Sequence, residues 1–477
     1  MPVRRAVVRT VIALGAFAYL ALLATTIVDG NVRNAVFGIG LAVSPILIWA
    51  SLRYPVLFPF GLYLAFVPFD PLLQVSGGGG TLTKIAGIAA ISAFAIRTLL
   101  VRKTVVPPRS WFGWLAVILY ASFSLAWSLN FEQTRFLLNQ MVSLFALFTV
   151  LAIYPIQYFE LLWLRRILIV TGIVTALYGI YTSRTATHAT MAAHHNLDRL
   201  TIMSGKYEFD PNHYAAFFMI PIAIVVVGFF YDPRPLRKAA YAAIFALLAG
   251  NVLLTGSRGG LIGVALIIFF LGWRSRKYVS MGAIVAAGLT LSSFIPNVWK
   301  RFADPTQGDG SGRNEIWATG LHGFHDYWLA GAGFGTYADV YDNNLLQTAQ
   351  RAFVGWHRPS HSLIVESIVE FGLIGSLVLL FALWSSLRQN ASIPRSHPLH
   401  TYRLECEGML VGIFWMALTI DVLWYKYLWV ALIFAVVVAN VHRSKTIVGL
   451  AGMGAMRRPS SATMRGAVPQ AVSNVRL

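Results

Sequence analysis

Three side chains in this sequence combine a reactive type with a setting that concentrates it: Arg258, Arg313 and His361. Arg258 lies in Thr255-Gly256-Ser257-Arg258-Gly259-Gly260, between two apolar stretches. Glycines there leave backbone N–H groups accessible at a helix start, where anions bind well, and a guanidinium offers phosphate oxygens a planar fork. The competing reading is a tight turn whose arginine snorkels to water. Arg313 opens Arg313-Asn314-Glu315-Ile316-Trp317, a short helix within a polar segment, either as an anion ligand or as a surface charge. His361 heads a long apolar run after His357-Arg358-Pro359-Ser360. A neutral imidazole there can accept a hydroxyl proton near ambient pH, or it can sit idle at a boundary.

A second set of polar residues gathers at the ends of apolar stretches, where ionisable groups are costly and default to functional candidates. Lys84, Asn212, His213, Glu370 and Asp421 are the substrate-binding candidates among them. Asp210-Pro211-Asn212-His213 is also an ordinary helix start, with Asp as N-cap and Pro at the first helical position. Glu366 and Glu370 are four apart and share a helix face. Glu370 stands about 13 Å of helical rise from His361, too far for a direct dyad. Asp421 has a structural alternative, pairing with Lys426 across the last hairpin. His188, His194 and His195 lack carboxylate or cysteine partners at metal-site spacing, so no metal and no cofactor are expected. Gly331-Ala332-Gly333-Phe334-Gly335 has no βαβ unit around it and reads as a turn that lets its segment pack against the apolar helices. The single cysteine, Cys406, excludes an internal disulfide.

The elements that must position these residues are membrane helices. Of 477 residues, 57% are hydrophobic and 12% charged, half the roughly 25% charge of a soluble domain. That excludes an ordinary cytosolic enzyme, a disordered chain and a disulfide scaffold. The net charge of +19 would suit nucleic acid, but Lys and Arg sorted to one side of a membrane explain it first. Apolar stretches fall near 7–28, 34–50, 55–68, 81–101, 111–128, 134–154, 163–182, 211–231, 236–254, 258–273, 277–295, 361–386, 404–421 and 424–441. They predict an all-α polytopic protein of 12–14 transmembrane helices, the first an uncleaved span after Arg4 and Arg5.

Basic residues recur in alternate short loops, from Arg102, Lys103 and Arg109 to Arg388, Arg395 and Arg403, and this side is assigned to the cytoplasm with both termini. The opposite face is left nearly neutral. The organisation predicted is an N-terminal bundle over 1–295 with an outer segment at 184–209, a large, partly helical outer loop at 296–360, C-terminal helices over 361–441, and a basic, disordered tail at 442–477. Ionisable groups near mid-span are few, which argues against a transporter and for a reaction site at the outer boundary.

Taken in order, Asp210-Pro211-Asn212, Gly256-Ser257-Arg258-Gly259-Gly260, Arg313 before Ile316-Trp317, Gly331-Ala332-Gly333-Phe334-Gly335, and His361-Ser362-Leu363 leading to Glu370-Phe371-Gly372-Leu373-Ile374-Gly375 resemble the O-antigen ligase and polymerase superfamily of bacterial membrane glycosyltransferases. The resemblance covers about 200–375 and is closest to the ligases. It implies a GT-C-like membrane fold in the inner membrane and a periplasmic site. It further implies a glycan donor on undecaprenyl diphosphate and metal-independent, inverting transfer in lipopolysaccharide biosynthesis. Carried onto the matching positions, Arg258 and Arg313 bind the diphosphate and His361 activates the acceptor hydroxyl. The acceptor expected is the lipid A–core oligosaccharide, with membrane lipids around the protein and no nucleic acid. The alternatives are an O-antigen or exopolysaccharide polymerase, a protein O-oligosaccharyltransferase and, outside the class, a lipid-linked glycan transporter.

Overall fold

A computed structural model describes residues 44–74, 80–185, 199–204, 207–293, 312–348 and 355–444. The apolar run at 55–68 is only a short helix, α1 (Phe60–Phe66), continued by a 3-10 turn. Then follow α2 (Leu82–Val101), α3 (Arg109–Phe123), α4 (Phe131–Ile153), α5 (Tyr158–Thr185), α6 (Pro211–Tyr231), α7 (Pro235–Leu254), α8 (Arg258–Ser275) and α9 (Tyr278–Ser293). Three short helices, α10 (Arg313–His322), α11 (Phe324–Tyr327) and α12 (Tyr337–Asn344), precede the long α13 (Leu363–Arg388), α14 (His400–Ala417) and α15 (Lys426–Arg443). A two-stranded antiparallel pair, Met203–Ser204 with Tyr207–Glu208, lies just before α6.

Eight of the described helices are long and apolar enough to cross a membrane: α2, α4, α5, α6, α7, α8, α13 and α15. The protein is an all-helical polytopic membrane protein in its architecture. The sequence count of 12–14 included stretches that fall outside these eight for identifiable reasons. The helices α3 and α9 have 15 and 16 residues, and α14 carries Arg403, Glu405 and Glu407. The span expected at 7–28 and the tail from 445 lie outside the described residues.

Two helices form the centre. In α6 almost every residue is buried, and α15 is buried along nearly its whole length, as expected of helices apolar on all faces. The helices α7, α8 and α14 pack around α6, while α15 packs on α4 and α14. Polar side chains inside this core serve the backbone. Asn440 Nδ2 donates to the carbonyls of Leu151 (2.8 Å) and Ala152 (3.0 Å), the end of α4, where helix geometry leaves carbonyls without partners.

One end of the bundle is tied by ions. Arg165 Nε meets Glu405 Oε1 at 2.6 Å, and Glu407 bridges Arg403 (2.7 Å) and Arg274 (3.3 Å). The other end carries α10–α12 and the candidate site. There α13 is not continuous. Gly372 breaks it with φ 61° and ψ −165°, and the chain leading out of α11 fills the gap. Ala332 N donates to Val369 O (2.9 Å) and Gly333 N to Glu370 O (3.0 Å), while Leu373 N reaches Trp328 O (2.9 Å) and Ile374 N reaches Leu329 O (3.2 Å). Broken helices at membrane depth need such partners, since lipid supplies none. Tyr120 Oη, from α3, closes the seam at 3.0 Å from the carbonyls of both Ala330 and Phe371. The two glycine-rich motifs of the sequence, 331–335 and 372–375, are thus two halves of one junction. A Cβ on Gly331 would collide with the Glu370 carbonyl, and one on Gly372 would lie 2.5 Å from Gly331 N.

Candidate active site

His361 stands just before α13, on the N-terminal side of that junction. The sequence put His361 at its first position; the structure starts α13 at Leu363 with Ser362 as N-cap. His361 holds a left-handed backbone with φ 50°, which non-glycine residues seldom adopt. Such outliers cluster at functional sites. Its Nδ1 lies 3.9 Å from Asp421 Oδ2, beyond hydrogen-bond length but close enough for a charge to be felt. Asp421 is oriented from the other side by Ser360, whose Oγ donates to Asp421 Oδ1 at 3.2 Å and accepts from Ser362 N at 3.1 Å. Burial lowers the His361 pKa below the ordinary histidine value; Asp421 opposes that shift and Arg313 reinforces it. The ring is therefore held neutral, the form able to take a proton.

Arg313 begins α10, after Gly312 turns the chain with φ 81°. Burial, then the neighbouring charge of Arg258, pulls the Arg313 guanidinium below its usual value, while Asp210 and Asp421 act against this. Residues 258 and 313 are far apart in sequence, yet the fold sets their charges against each other. Repulsion between two partly buried cations is relieved by an anion bridging them.

Arg258 is itself placed by a built turn. Ser257 caps α8 by accepting from Gly260 N (3.1 Å), Gly256 takes φ 60°, and Trp415 Nε1 donates to Gly259 O (3.0 Å). Arg199 fastens that turn to α6: Nε donates to Thr255 O (2.7 Å) and Nη2 to Asn212 Oδ1 (3.0 Å).

Asp210 caps α6 as its sequence predicts, accepting from Asn212 N (2.7 Å) and His213 N (3.2 Å). His213 is buried, with Nδ1 2.9 Å from Tyr427 Oη and its ring stacked on Tyr425 at 3.9 Å. Asp210, Asp421 and His361 are within electrostatic range of that ring.

Glu370 uses both oxygens on backbone, Oε2 accepting from Gly335 N (2.8 Å) and Oε1 from Tyr337 N (3.1 Å). Asp421 is not paired with Lys426, which takes Asp70 instead. Lys84 stays exposed on the first turn of α2, and no described contact ties it to His361. His188, His194 and His195 lie outside the described residues.

The fold therefore gathers Asp210, Arg258, Arg313, His361 and Asp421 into one electrostatic group at one end of an apolar bundle, with His213 against it. This arrangement suits transfer of a group from a phosphorylated donor to a hydroxyl. A family model described as O-antigen ligase matches residues 243–380, from within α7 to within α13. That stretch, less than half of the chain, is similar to the O-antigen ligase family. The superfamily's members are glycosyltransferase-like enzymes, and the matched stretch contains Arg258, Arg313 and His361. Asp210, His213 and Asp421 lie outside it. No curated protein matches the chain.

Two arginines beside this group escaped sequence reasoning. Arg199 carried no motif and is recognisable only from the two elements it ties. Arg358 was passed over as a flanking residue, yet its charge acts on His361 and its Nε is buried without a hydrogen-bond partner.

Proposed function

We propose that the protein is an O-antigen ligase. It moves a glycan from undecaprenyl diphosphate to a sugar hydroxyl of the lipid A–core oligosaccharide, at the periplasmic face of the inner membrane. The observation that carries the reading is the convergence of Arg258, Arg313, His361 and Asp421 where the polar loop meets the membrane helices. The concentration of Lys and Arg in the alternate short loops supports a periplasmic site.

In this reading the donor diphosphate sits on Arg258 and Arg313. The acceptor oxygen attacks the anomeric carbon from the face opposite the diphosphate, so the new glycosidic bond has inverted configuration. The bond from that carbon to the phosphate oxygen breaks, and undecaprenyl diphosphate leaves with the electron pair. His361 Nε2 or Nδ1 takes the hydroxyl proton as the nucleophile forms its bond. Charge that builds on the leaving diphosphate is met by guanidinium groups in a partly dry site, where they act strongly. Asp421 stabilises the imidazolium that forms and is a positioning residue for His361.

The test is transfer by the purified full-length protein from a lipid-linked glycan to lipid A–core, with the lipid-linked repeat unit offered in parallel. Wild type should form the lipid A–core product, and His361→Ala should form none while keeping the wild-type unfolding midpoint in detergent. Glycoside formation by His361→Ala at the wild-type rate would overturn the assignment of the base, and product only on the repeat unit would make the protein a polymerase.

A further inference from the structure

The part of α13 beyond its break is too short to cross a membrane alone. From Gly372 to Arg388, the first charged residue past the break, the helix rises about 24 Å, against roughly 30 Å of hydrocarbon in a bilayer. The break and the chain that fills it therefore lie inside the apolar layer, and any tilt of the helix takes them deeper. The filling chain has a backbone prepared for such surroundings. The carbonyls of Trp328 and Leu329 accept from Leu373 N and Ile374 N, that of Ala330 from Tyr120 Oη, and that of Ala332 from Leu129 N at 3.1 Å. Non-helical backbone persists at that depth only where protein satisfies it.

The side chains do not follow the backbone into the protein. Trp328 and Leu329 are 53% and 45% exposed, matching the 50% and 45% of Leu373 and Ile374 beside them. Leu373 and Ile374 head an exposed apolar face of α13 that continues through Leu377, Leu380 and Phe381 to Trp384, at the spacing of one helix face. On a helix that crosses a membrane, a contiguous exposed face of this kind belongs to lipid. Residues 328 and 329 widen it with a second piece of chain. The same piece also marks a boundary, because the polar His325 and Asp326 are exposed just before the apolar pair begins. Tryptophan is the usual anchor at such a level. We propose that residues 328–333 form a re-entrant segment, which enters the hydrocarbon layer beside α13 and presents Trp328 and Leu329 to lipid acyl chains. The polar loop between α9 and α13, with Arg313 on it, is thereby footed in the bilayer and held at a fixed height.

The experiment reads depth directly. The full-length protein, with its single cysteine, Cys406, replaced by Ala, is reconstituted into phosphatidylethanolamine and phosphatidylglycerol vesicles with a nitroxide on one introduced thiol. The sites are Trp328→Cys and Leu329→Cys. Leu377→Cys, on the exposed face of α13, is the lipid reference, and Leu346→Cys, exposed on the polar loop, is the water reference. Collision with molecular oxygen reports hydrocarbon and collision with a water-soluble nickel chelate reports water, because apolar and charged solutes partition oppositely. The oxygen-to-nickel ratio at 328 and 329 should match that at 377 and exceed that at 346 by about tenfold. Leu329→Cys is the smaller change and decides the matter by itself should Trp328→Cys fail to fold. A ratio equal to that at 346 would place the segment in water and overturn the proposal. A label reached by neither relaxant would overturn it too, since another part of the protein would then cover the site.

Discussion

His361 is held neutral by burial, so its pH dependence can be worked out in sign. In the proposed mechanism the base form is the active one, and burial holds its pKa below the ordinary histidine value of about 6.5. The acid limb of kcat/KM should therefore fall below that pH. Asp421 raises the His361 pKa, so Asp421→Asn should move the limb to still lower pH and reduce kcat, with donor KM little changed; a limb moving upward would sink the pairing. At the arginines, charge alone is not the requirement. Lysine cannot offer two parallel donors to one phosphate, so Arg258→Lys and Arg313→Lys should each lower kcat/KM for the donor by roughly ten- to a hundredfold. The three residues proposed for the chemistry stand out in the sequence because each lies in a local motif. Their mutual placement does not, because no spacing rule links residues 258, 313 and 361. Arg199 and Arg358 were illegible for a further reason: a lone arginine in a polar segment looks the same whether it ties two elements or faces water.

The elements do the positioning through one backbone junction. The sequence located α13 and the glycine motifs on either side of it, but not that the chain after α11 is laced into the break at Gly372. Hydrophobic pattern reports a face to be buried and is silent on a helix that stops being one for a single residue. Gly372→Ala should destabilise the protein by about 1–3 kcal/mol, from the strained conformation alone, and more where the new methyl meets Gly331 N. Thermal unfolding in detergent would read it, with loss of transfer at temperatures where the fold persists. Tyr120→Phe, which removes the hydroxyl spanning both sides of the seam, should cost about 1 kcal/mol.

Across the whole molecule, charge serves two purposes at the two ends. The site end brings cations, carboxylates and histidines together without closing them all into pairs, whereas at the opposite end Arg165 pairs with Glu405, and Glu407 with Arg403 and Arg274. Replacing Glu405 by Gln should lower stability by roughly 3–5 kcal/mol, the usual cost of leaving one buried ion unpaired. Replacing both Arg165 and Glu405 by Met should recover most of it, and the remaining folded enzyme should keep its acceptor and donor KM. The Gly372 junction also has a consequence for how the protein is made. The strand that fills the break is synthesised before the helix it enters, and Asp421 follows both. A chain still on the ribosome therefore cannot assemble the full group of charges at the proposed site until its last hairpin has emerged.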